Sequence, residues 1–152
     1  MTDWRDAPVF GLVPKGAVAT IRPSAYALFQ NDRGEFAVVR TPEGTYLPGG
    51  GMDPGETPQQ TVIRETLEEC GLAIVIGSRT AVAVQFAWSE KEQTYFEKHC
   101  TFVDAAVLGP DTSRLEADHE LFWVDAERAC AMLTHESHAW VVTEWATIRN
   151  NR

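Results

Sequence analysis

Three glutamates near the middle of the chain have the spacing of a metal site. Glu65, Glu68 and Glu69 stand at positions i, i+3 and i+4, so on a helix their side chains converge on one side. Like charges at this spacing destabilise a helix by roughly 0.2–0.5 kcal/mol per pair, and residues 50–72 contain no lysine to offset them. Carboxylate oxygens suit magnesium or manganese, which also bind phosphates. The cluster therefore favours a site for a hard divalent cation over a solvated acidic face.

A helix that would position these glutamates is predicted over Pro58–Cys70. Thr57 suits the N-cap, Pro58 suits the first helical position, and Gln60 completes a Thr-x-x-Gln capping box. Gly71 suits the left-handed residue that follows a helix. An apolar stripe at helical period is expected to face the core, formed by Val62, Ile63, Thr66, Leu67 and Cys70.

A run of three glycines precedes this helix. Gly49, Gly50 and Gly51 permit positive φ and a close approach of the backbone to a ligand. A plain tight turn would explain two of the three equally well. The run and the helix together predict a glycine-rich loop that leads into a carboxylate cluster.

The segment Gly50–Leu72, GGMDPGETPQQTVIRETLEECGL, resembles the Nudix box G-x5-E-x7-R-E-U-x-E-E-x-G-U, in which U is a bulky aliphatic residue. Leu72 fills the last U, and Thr66 departs from the pattern at the first U, which is a packing position. The motif covers 23 of 152 residues and identifies the family but not the substrate. All of its fixed glycine, glutamate and arginine positions match, namely Gly50, Glu56, Arg64, Glu65, Glu68, Glu69 and Gly71.

The resemblance implies an α+β Nudix fold, in which a mixed β-sheet lies between helices, as a single domain over residues 1–152. The order of elements in the sequence fits this fold. Two closing helices are expected at Ala126–Leu133 and Glu136–Ile148, and Pro23 is expected to interrupt the first strand region. Strand patterns occur at Ala19–Ile21, Ser24–Phe29, Glu35–Arg40, Ala73–Ile76, Thr80–Trp88, Tyr95–Val107 and Glu120–Val124.

The resemblance also implies an activity and roles for the matching residues. The activity is hydrolysis of a phosphoanhydride in a nucleoside diphosphate linked to another moiety, with water attacking phosphorus and Mg²⁺ or Mn²⁺ as cofactor. Glu65 and Glu69 are the leading metal ligands, Glu68 is the third, and the carbonyl of Gly49 is a further one. Arg64 should hold Glu65, Glu56 should pair with Arg64, and Gly50 and Gly71 should support the loop and the helix.

A carboxylate outside the box is expected to help deprotonate the attacking water, since magnesium acidifies bound water less than zinc does. The resemblance points to the loop before a late strand, here Leu115 to Glu120. Glu120 is the first choice, followed by Glu116 and Asp118. An acidic solvent loop is the plain alternative, and Glu68 or Glu65 could serve as the base instead.

Other reactive residues carry weaker signals. His135 and His138 do not form the His-Glu-x-x-His motif of zinc proteases, so surface or capping roles are expected. Three cysteines form neither a zinc pattern nor a disulfide framework. As buried reduced thiols they favour a cytoplasmic location. They are Cys70, Cys100 and Cys130.

Charge and composition restrict the partners. The net charge of 13 − 22 = −9 argues against long nucleic acid, which binds cationic patches, but not against a small nucleotide held through a metal. No apolar run approaches the roughly 18 residues of a membrane span, and the first residues lack a signal-peptide pattern, so no membrane partner is expected. A homodimer is compatible with the sequence.

Two other functions remain open at this point. A Nudix-fold module that binds such a ligand without cleaving it would be favoured by lost box carboxylates, and none is lost. Isomerisation of a diphosphate ester is a third, minor alternative. The substrate candidates are an ordinary or oxidised nucleoside triphosphate, ADP-ribose, a dinucleoside polyphosphate and a nucleotide sugar.

Overall fold

Two β-sheets and three α-helices make up the part of the chain that the computed structural model describes, which is residues 2–150, with side-chain environments up to residue 146. A short 3₁₀ helix at Trp4–Asp6 precedes the first strand. The helices are α1 (Pro58–Cys70), α2 (Ala126–Met132) and α3 (Glu136–Asn150). The strands are β1 (Val9–Phe10), β2 (Ala19–Leu28), β3 (Phe36–Thr41), β4 (Gly44–Tyr46), β5 (Gly49–Gly51), β6 (Leu72–Ser89), β7 (Thr94–Pro110) and β8 (Glu120–Val124).

The larger sheet is mixed, as predicted. Its strand order is β1-β6-β7-β2-β5, with β1–β6 and β2–β7 parallel and the other pairs antiparallel. A smaller antiparallel sheet has the order β4-β3-β8. The sequence did not indicate this second sheet, because strand patterns do not specify which strands pair.

Buried residues cover both faces of the larger sheet. Along β2, Tyr26 and Leu28 point into one core, which includes residues of α2 and α3. The alternate residues of β2 point into a second core, which includes Val62 of α1. Since successive side chains of a strand face opposite sides, the sheet lies between helices, and the predicted α/β/α arrangement is confirmed.

The predicted bounds of α1 are confirmed, and its caps explain them. The Thr57 hydroxyl accepts a hydrogen bond from the Gln60 backbone N–H at 3.1 Å, and the Gln60 side-chain oxygen Oε1 accepts one from the Thr57 N–H at 2.9 Å. Gly71 follows the helix with φ of 64°, a conformation that glycine adopts without steric cost. These local interactions fix the register of the glutamates on the helix.

The predicted apolar stripe of α1 is partly wrong. Val62 and Thr66 are buried, but Ile63 is 37% exposed and Glu69 is only 8% exposed. The reason is tertiary, because β5 lies beside α1 and donates a backbone hydrogen bond to Glu69. The buried face of the helix therefore includes the carboxylate of Glu69 and leaves Ile63 of the apolar stripe partly exposed.

The expected interruption of the first strand at Pro23 is also wrong, since β2 runs unbroken from Ala19 to Leu28. The Pro23 carbonyl accepts a hydrogen bond from the Met52 N–H at 2.9 Å. The missing N–H of Pro23 therefore faces the β5 edge of the sheet and not β7, and proline is tolerated at such an edge. The predicted strands Ala73–Ile76 and Thr80–Trp88 are also continuous, as parts of β6, with a register shift between Ile76 and Thr80.

No helix in residues 2–150 has both the length and the apolar character needed to cross a membrane.

Candidate active site

The glycine run forms an edge strand against β2. Gly49, Gly50 and Gly51 pair antiparallel with Tyr26, Ala25 and Ser24. Gly49 has φ of 148°, and a Cβ there would collide with the Ala25 carbonyl oxygen. Only glycine can therefore hold this strand against β2 at position 49.

The edge strand and α1 meet through two glutamates. The Gly49 N–H donates to Glu69 Oε1 at 2.8 Å. Glu65 lies against Gly50, where a Cβ would be 3.3 Å from the Glu65 carboxyl carbon. The backbone of the glycine loop is thus in close contact with the carboxylates of the helix.

Arg64 lies among the carboxylates and connects them. Its Nε donates to Glu56 Oε2 at 2.8 Å, and its Nη1 donates to Glu65 Oε1 at 2.8 Å and to Glu68 Oε2 at 3.3 Å. Its Nη2 reaches the Gly51 carbonyl at 3.3 Å. One guanidinium therefore orients two glutamates of the cluster and the loop backbone, and Glu56 fixes the guanidinium.

The loop after β7 adds two groups to the cluster. The Glu116 N–H donates to the Glu68 carbonyl at 2.7 Å. His119 Nε2 lies 3.5 Å from Glu69 Oε2, and its Nδ1 lies 3.8 Å from Glu116 Oε2. Sequence reasoning missed His119, whose only signal was its place in the acidic loop. By contrast Glu120 is exposed and pairs in register with Arg40.

The electrostatics of the cluster follow from burial. Burial raises the pKa of Glu65 to about 7, with the charges of Glu68 and Glu116 adding to the effect and Arg64 opposing it. Burial, followed by the charge of Glu65, raises the pKa of Glu69 well above its usual range. Burial, followed by the charge of Glu116, also raises the pKa of Glu68, with Arg64 opposing the effect. The folded site therefore disfavours the ionised forms of all three glutamates.

Glu56 has the opposite environment. Its hydrogen bond with Arg64 lowers its pKa to about 2, and the Asp53 N–H and the Thr61 hydroxyl also donate to it, each at 2.8 Å. Glu56 is thus a fixed anion that holds Arg64 in place.

The donor chemistry of the cluster fits a hard divalent cation. In the described residues no three His, Cys, Asp or Glu side chains already form a complete ligand set. Arg64 and the Gly49 N–H each occupy carboxylate oxygens here, taking one oxygen each of Glu65, Glu68 and Glu69. Within the described residues no hydrogen bond reaches the second oxygen of Glu65 or Glu68, and that of Glu69 lies 3.5 Å from His119 Nε2. A cation there would offset the carboxylate repulsion that adds to burial in raising the three pKa values.

A model of the NUDIX domain family matches residues 20–146. The chain belongs to this family. A Mycobacterium tuberculosis protein provisionally named 8-oxo-dGTP diphosphatase 3 is 32% identical over 107 residues, which are 70% of this chain and 48% of that protein. This chain therefore spans about half the length of the curated relatives it matches.

Solved structures share the fold of this NUDIX domain. A MutT protein from Methanosarcina mazei Go1 is 26% identical with a TM-score of 0.56, and the match covers 88% of this chain and 98% of that one. A NUDIX hydrolase from Nitrosomonas europaea has a TM-score of 0.66 at 18% identity, covering 84% of this chain and 90% of that one. At 18% identity, the likeness to the Nitrosomonas europaea structure shows a shared fold and nothing about activity.

A cavity of about 690 Å³ in the NUDIX domain adjoins the glycine strand and Glu69. This volume is within the range of small-molecule sites. Its aromatic lining comes from Tyr46, Trp88 and Phe96, and its basic lining includes Arg22 and Lys98. The cavity lies on the α2–α3 face of the sheet, since Tyr26 lines the cavity and belongs to the core that includes α2 and α3.

The expectation that His135 and His138 lie at the surface is wrong, whereas a capping position fits His135, which precedes α3 and whose carbonyl accepts a hydrogen bond from the Ala139 N–H at 3.3 Å. The exposures of the two histidines are 6% and 0%. His138 Nδ1 accepts a hydrogen bond from the Leu47 N–H at 3.2 Å, and its ring packs 4.2 Å from that of Tyr26. His135 lines the cavity, with Nε2 3.0 Å from Lys98 Nζ. The first turn of α3 packs onto the sheet, and nothing local in the sequence indicates this packing.

Burial of His135 gives a prediction for the pH dependence of stability. Burial lowers its pKa to about 3, so the unfolded chain takes up a proton below about pH 6.5 that the folded chain refuses. Stability from this group is present at neutral pH and lost as pH falls. Between pH 6.5 and 4, the free energy of unfolding measured in urea should fall by about 1.4 kcal/mol per pH unit more for wild type than for His135→Gln. Parallel pH profiles for the two proteins would contradict a neutral buried His135.

Proposed function

We propose that this NUDIX domain is a divalent-metal-dependent hydrolase that cleaves a phosphoanhydride in a small nucleotide derivative by attack of water on phosphorus. The observation that carries the proposal is the charge of the cluster. Glu65, Glu68 and Glu69 are held together on α1, with Glu69 lining a cavity of small-molecule size, although burial disfavours their ionised forms. Such an arrangement is costly for stability and is typical of a functional site.

The metal would be held by Glu65, Glu69 and Glu68, with the Gly49 carbonyl as a further donor. These are all oxygen donors, which suit Mg²⁺ or Mn²⁺. A divalent ion held there would lower the pKa of water and would neutralise charge on the phosphates.

Two residues of the box position the ligating carboxylates. Arg64 orients Glu65 and Glu68 through hydrogen bonds of 2.8 and 3.3 Å. Glu56, a fixed anion, holds Arg64 from the opposite side. The geometry of the carboxylates is therefore set before any ligand binds, which lowers the reorganisation needed for catalysis.

A proton acceptor for the attacking water is proposed at Glu116. The side chains of Glu116 and of Glu120, the first choice from the sequence, are both exposed. The contacts of Glu116 support it over Glu120, because its N–H donates to the Glu68 carbonyl and its Oε2 lies 3.8 Å from His119 Nδ1. Glu68 and Glu65 stay as alternatives. Asp118 is exposed in the same loop.

The substrate is proposed to be a small nucleotide and not a long nucleic acid. Aromatic rings of the cavity lining can stack on a base, and the net charge of −9 opposes a polyanionic strand. The M. tuberculosis relative is named for 8-oxo-dGTP, so oxidised and ordinary nucleoside triphosphates are the first compounds to test.

The direct test is a turnover screen with magnesium or manganese. Triphosphates including 8-oxo-dGTP, ADP-ribose, dinucleoside polyphosphates and nucleotide sugars would be separated by chromatography after incubation. We expect one class to be cleaved at an anhydride and cleavage to stop in excess EDTA. Cleavage that persists in chelator would exclude the metal mechanism. Tight binding without turnover of any compound would favour a binding module.

A further inference from the structure

Lys98 is a cation that lines the cavity. Its Nζ lies 3.0 Å from His135 Nε2 and 5.7 Å from the centre of the Tyr46 ring. No carboxylate among the described residues forms a salt bridge with it. Since His135 is neutral, its ring nitrogen can accept only one of the three ammonium hydrogens. The other two donors remain available to a ligand in the cavity.

A second cation stands beside the first. The parallel register of β2 and β7 pairs Arg22 with Lys98, so both side chains lie on the same face of the sheet. The Arg22 guanidinium lies 5.8 Å from the centre of the Phe96 ring, and a Cβ on Gly51 would be 2.6 Å from its Cζ. Like charges at paired positions of neighbouring strands destabilise a sheet. Burial and then the charge of Arg22 lower the pKa of Lys98, which reflects the same repulsion.

The acidic residues of the cavity do not neutralise this pair. Glu43, Glu90 and Glu92 lie on exposed turns that form the rim. The Glu90 carboxylate accepts a hydrogen bond from Trp88 Nε1 at 2.8 Å, and Glu92 acts on Lys98 only through its charge at longer range. Positive charge is thus concentrated on the sheet, between this rim and the box carboxylates.

We propose that Arg22 and Lys98 form a phosphate subsite, in which Lys98 is oriented by His135 and Arg22 stands between it and the Gly51 backbone. An anion between two cations removes their repulsion, and a charge-assisted hydrogen bond to each is of the strong kind. The proposed substrate therefore has at least two phosphates, one at the carboxylate cluster and one on this pair. The inference rests on the proposed function for the identity of the ligand but not for the binding itself.

The subsite is tested by binding without metal. Calorimetric titrations in excess EDTA would compare GMP with guanosine and AMP with adenosine. For at least one pair, we expect the monophosphate to bind wild type about tenfold or more tightly than its nucleoside. Lys98→Met and Arg22→Gln should each remove most of that preference without weakening nucleoside binding. Lys91→Met is the matched control, because it removes the same charge from the exposed rim and should keep the preference.

Three outcomes would overturn the proposal. They are no preference for the monophosphates in wild type, an unchanged preference in both variants, or equal weakening of nucleoside and monophosphate, which would mean that Lys98 contacts the base. Arg22 is exposed, so Arg22→Gln tests the subsite even if Lys98→Met fails to fold. The proposed function fails separately: a wild type that cleaves no compound but prefers monophosphates without metal would retain the subsite and lose the hydrolase assignment.

Discussion

Glu69→Gln is expected to abolish metal-dependent turnover while the fold is retained. Glutamine keeps the side-chain oxygen that accepts the Gly49 N–H but loses the negative charge that a cation needs. Mutation of groups that merely support metal ligands costs roughly 10–100-fold, so removal of a ligand should cost more in kcat. Because burial disfavours the Glu69 anion, the metal-free variant should melt at a temperature no lower than that of wild type at neutral pH.

The control for this experiment is Glu144→Gln, which makes the same chemical change on the exposed side of α3. It should keep the activity and the melting temperature of wild type. Near-normal activity in Glu69→Gln, with saturating magnesium and an intact circular dichroism spectrum, would remove Glu69 from the set of metal ligands.

Glu116→Gln is expected to lower kcat by roughly 10²–10⁴-fold and to flatten the acidic limb of the pH–rate profile. The reason is that the Glu116 N–H donates to the Glu68 carbonyl and its carboxylate lies 3.8 Å from His119 Nδ1, which places a proton acceptor at the edge of the cluster. Glu120→Gln should stay close to wild type, because Glu120 pairs in register with Arg40 and forms no hydrogen bond or salt bridge with the box glutamates within the described residues. The measurement is kcat against pH under saturating metal.

The same measurement distinguishes Glu120, the proton acceptor expected from the sequence, from Glu116, the one that the contacts in the structure favour. If Glu120→Gln shows the loss and Glu116→Gln does not, the sequence-based choice is correct. Asp118→Asn, in the same exposed loop, completes the series. Normal kcat in all three variants would place the proton acceptor in the box, at Glu65 or Glu68.

Local signals were sufficient for the parts of the fold that depend on neighbours in sequence. The bounds of α1 follow from the Thr57 capping box and from Gly71, and β8 coincides with its predicted range Glu120–Val124. The spacing of the box put Glu65, Glu68 and Glu69 on one helix, and the structure has them there. These features need only the helical period and cap chemistry.

Long-range packing decided the rest. Exposure of Ile63 and burial of Glu69 depend on β5, which joins α1 only in the folded chain. Burial of His138 depends on Leu47, 91 residues away. The proximity of Arg22 and Lys98 depends on the parallel pairing of β2 with β7. No local pattern specifies such contacts, so the sequence could not indicate the cavity.

The rim of the cavity has a consequence for how this scaffold can diversify. It is made by two hairpin turns, one at residues 42–43 between β3 and β4 and one at residues 90–93 between β6 and β7, and both are exposed. Gly49, in contrast, tolerates no side chain. Surface turns accept insertions at small entropic cost. Descendants of such a gene can therefore acquire new ligand preferences by changes in these turns alone, while the carboxylate cluster is inherited unaltered.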